Sequence, residues 1–117
     1  MNITNNIPQE ILIRIAEIRD ALVITKFNQA MALETEQKEL IPEVISKGVN
    51  QLLKNPNLGF YVIAERDNEI IGSLMVTTEW SDWRNGMFWW IQSVYIKPNE
   101  RRKGIYTELY NFIRKSA

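Results

Sequence analysis

From Arg101 to Tyr106 the chain reads Arg-Arg-Lys-Gly-Ile-Tyr, placing three cations and a glycine where an apolar strand gives way to an amphipathic helix. The first amides of a helix have no carbonyl partners inside it, and the helix dipole adds partial positive charge there. A glycine at that point lets an anion approach the backbone without meeting a side chain. Arg101, Arg102 and Lys103 add full charges. Together these features describe an anion cradle suited to a pyrophosphate. A basic loop ahead of a helix is also common as plain solvated surface, so the surrounding elements must decide.

Other chemistries are narrowed by what is missing. The 117 residues include no cysteine and no histidine, which removes disulfides, thiol nucleophiles and nearly every zinc or haem site; no metal is expected. Proton transfer then falls to carboxylates, tyrosines or water. Glu79, at the end of a strand, and Glu34 and Glu36, after the first helix, are the candidate bases; each also reads as an ordinary solvated carboxylate. Gln92 and Ser93 lie on the strand ahead of the basic loop. Trp80, Trp83, Trp89 and Trp90 cluster beside Arg84. Aromatics near arginine can stack on bases, but 14 basic residues balance 14 acidic ones, so no net field draws nucleic acid or anionic membrane. Neither partner is expected. The start, MNITNNIPQE, lacks the basic and apolar regions of a signal peptide, and no apolar run reaches the length of a membrane span. These features imply a cytoplasmic protein.

The length suits one domain. After a polar lead-in, Ile11 to Ala16 reads as a strand, and Asp20 as the cap of a helix with Val23, Phe27, Ala30 and Met31 on one stripe. A second helix has Pro42 in its first turn and Val44, Ile45, Gly48, Val49, Leu52 and Leu53 on one face. Then the period changes. Gly59 to Arg66 reads as a strand, Asp67-Asn68 as a tight turn, and Glu69 to Thr78 as the antiparallel partner. A loop is expected over Glu79 to Met87. Phe88 to Ile96 is apolar on both faces, as for a strand covered from both sides. Pro98 ends it, and a helix from near Gly104 presents Ile105, Leu109, Phe112 and Ile113.

This order, with the motif at its end, resembles the GNAT superfamily of N-acetyltransferases. Arg101 to Tyr106 is similar to that family's Q/R-x-x-G-x-G/A motif, and it follows a V-x-V-x-P type strand, here Val94, Ile96 and Pro98. The stretch from Leu74 to Ile96 resembles the strand-loop-strand of a bacterial subgroup, and the likeness runs from about Ile11 to the end. The resemblance implies an α/β fold with a mostly antiparallel mixed sheet flanked by helices. It also implies acetyl-CoA as co-substrate. Main-chain groups of Val94, Tyr95 and Ile96 would pair with the pantetheine arm. The loop of Arg101, Arg102, Lys103, Gly104, Ile105 and Tyr106 would take the pyrophosphate, and amides of the strand would polarise the thioester. Tyr106 stands where the family has glycine or alanine, and its ring is expected to point into the core instead.

Residues 1–117 are accordingly expected to form a single, partial GNAT domain, truncated after the motif helix. That expectation leaves the edge of Phe88 to Ile96 unpaired, so a homodimer or a partner chain is expected to cover it. Two functions follow from the resemblance. One is acetyl transfer from acetyl-CoA to a primary amine of a small molecule or peptide by direct attack. The other is a non-catalytic acyl-CoA-binding or interaction module, or an inactive fragment of such an enzyme.

Overall fold

The computed structural model describes residues 10–116, leaving most of the polar lead-in and the final Ala117 outside the described residues. Strand β1 (Leu12–Ile15) is followed by a 3₁₀ turn, helices α1 (Ala21–Glu36) and α2 (Pro42–Lys54), strands β2 (Gly59–Arg66), β3 (Glu69–Ser81) and β4 (Gly86–Ile96), a second 3₁₀ turn (Pro98–Glu100) and helix α3 (Ile105–Ser116). The sheet runs in the order β1-β2-β3-β4. The three pairings are all antiparallel.

β2 occupies the residues its alternation predicts. Asp67 and Asn68 both take positive φ, 53° and 65°, the twist that a two-residue hairpin demands and that these residue types tolerate. The loop expected from Glu79 to Met87 is shorter than its polarity suggests. Glu79 pairs with Phe88, Trp80 with Met87 and Ser81 with Gly86, leaving only residues 82–85 to turn the chain. Asn85, at φ 50°, closes that turn early. A hairpin solvated on both faces needs no apolar alternation to keep its ladder.

Two helical layers cover the sheet. Against one face, Ile24 of α1 and Val49 and Leu52 of α2 pack on Tyr61 and Ile63. Against the other, Ile105, Leu109 and Ile113 of α3 pack on Val62, Ala64, Leu74 and Val76. The α3 face is the one its sequence predicts. On α1 the deepest apolar residues are Ile24, Phe27 and Ala32, where Val23, Phe27, Ala30 and Met31 were expected. The helix meets α2 as well as β3 and β4, so its buried surface is broader than one stripe.

Asp20 stands at the start of α1 but makes no side-chain cap there. Its carboxylate, buried, is gripped by Arg14 at 2.9 and 3.0 Å and by the Glu17 amide at 2.7 Å. Arg14 also reaches Glu65 at 3.2 Å. Burial pushes the Asp20 carboxyl up, but the Arg14 and Glu17 hydrogen bonds hold it below its usual range. This cluster ties β1 to the entry of α1.

Strand β4 departs most from expectation. Sequence predicts cover on both faces, yet Met87, Trp90 and Gln92 are exposed and only Tyr95 is buried. Among the described residues no strand pairs with its outer edge.

Candidate functional site

The site is built on the end of β4. Ser73 faces Tyr95 and Met75 faces Gln92, so Ser93 and Val94 together oppose Leu74 in a bulge. Ser93 takes φ 52° to make it. Trp89, Ile91, Val94 and Ile96 pack against the α3-side core. Tyr95 lies on the other face, its ring centroid 4.9 Å from that of Phe27. The Lys97 amide donates to the Ile71 carbonyl at 2.9 Å. By the alternation of an antiparallel ladder, the N–H and C=O of Ile96 then point to the outer edge.

The chain passes through Pro98–Glu100 and reaches α3 in a tight path, with Arg102 at φ 64° and Gly104 at φ 81°. Gly104 supplies the left-handed turn that opens the helix. A Cβ built on it would meet nothing within 4 Å, so the space above its backbone is open. That space is a hollow of about 240 Å³ bordered by Ile96, Arg102, Gly104, Tyr106 and Thr107.

Arg101 also borders this hollow, but the three cations do not serve it alike. Arg102 and Lys103 are exposed beside it. The Arg101 guanidinium is engaged with protein groups: its Nε donates to the Ile96 carbonyl at 2.8 Å, and Nη1 and Nη2 donate to the two oxygens of Glu34 at 2.6 and 3.0 Å. Its guanidinium carbon lies 5.5 Å from the centre of the Tyr95 ring. Tyr106 keeps its ring out of the core, 44% exposed, beside Tyr110 at 6.3 Å. The expectation that the ring points inward is overturned: Leu109 and Ile113 occupy the buried face of α3, and Tyr106 lies off it.

Sequence reasoning missed Glu100. Its side chain is buried under the loop and accepts from Arg66 of β2, with Lys103 Nζ 3.6 Å from Oε1. The Arg66 hydrogen bond holds its carboxyl below the usual range despite burial. The loop is thus anchored from beneath by a carboxylate while its upper side stays open.

The candidate bases occupy different places on the α1 and α2 side of the sheet. Glu34 lies near the end of α1, over a hollow of about 240 Å³ bordered by Met31, Thr35, Val94, Tyr95 and Ile96. Arg101 holds its carboxyl below the usual range. Glu79 lies near the tip of the β3–β4 hairpin, where Trp90 Nε1–H donates to it at 2.8 Å. On the same face Gln92 Nε2 donates to Thr77 Oγ1 at 2.7 Å. Glu36, at the last turn of α1, is exposed. Among the described residues no group of acidic side chains is arranged to hold a metal, and no helix is long and apolar enough to cross a membrane.

A bulged edge strand running through a basic, glycine-opened turn into a helix is the architecture of an acyl-CoA N-acyltransferase fold. A family model described as the acetyltransferase (GNAT) family matches residues 18–117, and the chain belongs to that family. It is similar to a possible acetyltransferase from Clostridium difficile 630, with 47% identity and a TM-score of 0.85 over 90% of this chain and 69% of that one. A predicted acetyltransferase with acetyl-CoA from Clostridium acetobutylicum shares the fold at 22% identity and a TM-score of 0.78, covering 92% and 73% of the two chains. So does glucosamine-6-phosphate N-acetyltransferase from Arabidopsis thaliana, at 17% identity and a TM-score of 0.69, covering 92% and 74%. A search among curated proteins yields no match.

Proposed function

We propose that this protein binds acetyl-CoA and transfers the acetyl group to a primary amine of a small molecule or peptide. The observation that carries this is the open left-handed turn at Gly104, at the head of α3 and directly after the bulged edge of β4. The amides from Arg102 to Tyr106 take the pyrophosphate, with Arg102 and Lys103 supplying charge. Main-chain groups of Val94 and Ile96 pair with the amides of the pantetheine arm as an added strand would, whereas those of Tyr95, by the ladder's alternation, point to β3.

In this reading the amine attacks the thioester carbonyl directly, the C–N bond forming as the C–S bond breaks, with CoA thiolate leaving. The protein contributes orientation, main-chain polarisation of the carbonyl near the Ser93 bulge, and removal of the amine proton. Glu79 is the better placed of the candidate carboxylates for the last task. It faces the exposed surface of the hairpin, oriented by Trp90. Glu34 is committed to Arg101.

Calorimetric titration with acetyl-CoA tests the reading, with Gly104→Glu as control. Saturable binding lost in the control is the expected result. A well-folded wild-type protein that takes up no acetyl-CoA would overturn it.

A further inference from the structure

Arg101 and Ile96 border both hollows, the one over Gly104 and the one beside Glu34. A ligand with phosphates in the first and an extended amide chain along β4 must pass between them, and the Arg101 side chain lies across that path. Its Nε already occupies the outward Ile96 carbonyl, the acceptor that an added strand would use. Its two terminal nitrogens are spent on Glu34. We propose that Arg101 and Glu34 form a ligand-operated gate: paired, they cover the β4 edge, and a pyrophosphate opens the gate by drawing Arg101 away from Glu34. The proposal rests on the reading of the Gly104 hollow as a phosphate site.

The strengths of the interactions favour such an exchange. Both side chains of the pair are more than a third exposed, 38% and 44%, and ion pairs so placed contribute little to stability. A pyrophosphate offers more charge than one carboxylate and accepts the same forked donor geometry. Neither partner is needed to hold the loop, because Glu100 and Arg66 anchor it from below. Phe27 and Tyr95 keep α1 on β4 whichever way the gate stands. Glu34, in this account, sets how readily the cofactor enters.

Nuclear magnetic resonance of the ¹⁵N-arginine-labelled protein reads the gate directly, with the Arg101 Nε–H signal assigned by its loss in Arg101→Lys. Backbone amides of Lys103 to Tyr106 report phosphate binding independently. Acetyl-CoA and inorganic pyrophosphate are each expected to shift both sets of signals, whereas pantetheine, which has no phosphate, should leave the Arg101 signal in place. Glu34→Gln should bind acetyl-CoA about 2- to 5-fold more tightly, and Arg101→Gln should abolish that gain. If the loop amides respond while the Arg101 signal stays and Glu34→Gln binds no tighter, the pair is a fixed tie and the gate is wrong, with acetyl-CoA binding intact. Pantetheine moving the Arg101 signal as far as acetyl-CoA does would also overturn the gate. If no ligand moves a loop amide, both readings fall.

Discussion

Gly104 lets the fold and the function be separated in one position. Its φ of 81° strains an L-residue, yet an added side chain would meet no protein atom. Gly104→Ala therefore costs stability through conformation alone, about 1–2 kcal/mol for a left-handed residue. In a domain near this size each kcal/mol lowers Tm by about 4–8 °C. Asparagine visits the same conformation more readily, so Gly104→Asn should unfold closer to the wild type. Binding should respond differently. Either side chain projects into the hollow where the pyrophosphate is proposed to meet the backbone. Losing one amide hydrogen bond to a charged oxygen costs about 1.5–3 kcal/mol, or about 10- to 150-fold in affinity. Thermal unfolding and acetyl-CoA calorimetry, run on both variants at one salt concentration, give the two readings. The expected pattern is a lowered Tm chiefly in Gly104→Ala and weakened binding in both. Wild-type affinity in Gly104→Asn would refute the reasoning, since no phosphate could then be touching that backbone.

Glu79→Gln should reduce turnover by about 10²–10⁴-fold at saturating acetyl-CoA while leaving its affinity unchanged; an unaltered rate removes Glu79 from consideration as the base. Asp20 should make stability sensitive to acid. Its carboxyl is depressed in the folded protein, so its contribution is complete above the unfolded value near 3.8 and disappears as pH falls through the lower folded value. In Asp20→Asn, denaturant unfolding followed across that window should lose this dependence, and an unchanged acid limb would show that other groups govern it. The outer edge of β4, unpaired among the described residues, is expected to draw a second copy of the chain in solution, so the mass of the purified protein should rise with concentration. A monodisperse monomer counts against that.

Local chemistry was legible and distant pairing was not. The Asp67-Asn68 turn, the limits of β2 and the buried face of α3 follow from residue types within one or two turns of each other. So does the open turn at Gly104, because its glycine and cations are neighbours. The two contacts that refine it join residues far apart: Glu34 and Arg101 are 67 positions apart, and Arg66 and Glu100 are 34. No period or motif relates them until the sheet brings them together. Reading three adjacent cations as one charge cluster therefore leaves out Glu34, the carboxylate that Arg101 is paired with. The exposed half of β4 misled for another reason. Phe88, Trp89 and Trp90 look like buried strand residues by type, and only the reach of the helices decides which are covered. Its bulge was hidden because serine, unlike glycine, does not advertise a positive φ.

That bulge gives β4 one residue more than the strand it pairs with. Gln92 and Tyr95 still face the same side, and Ile91 and Val94 still share the other, so the surplus residue leaves the side-chain phase unbroken. A chain lacking Ser93 would keep Tyr95 against Phe27 and Val94 in the α3-side core. It would lose only the bend in its backbone. The fold can thus do without this residue, and an insertion that packing neither requires nor rejects is left to be retained or discarded according to what the bent edge does for a ligand.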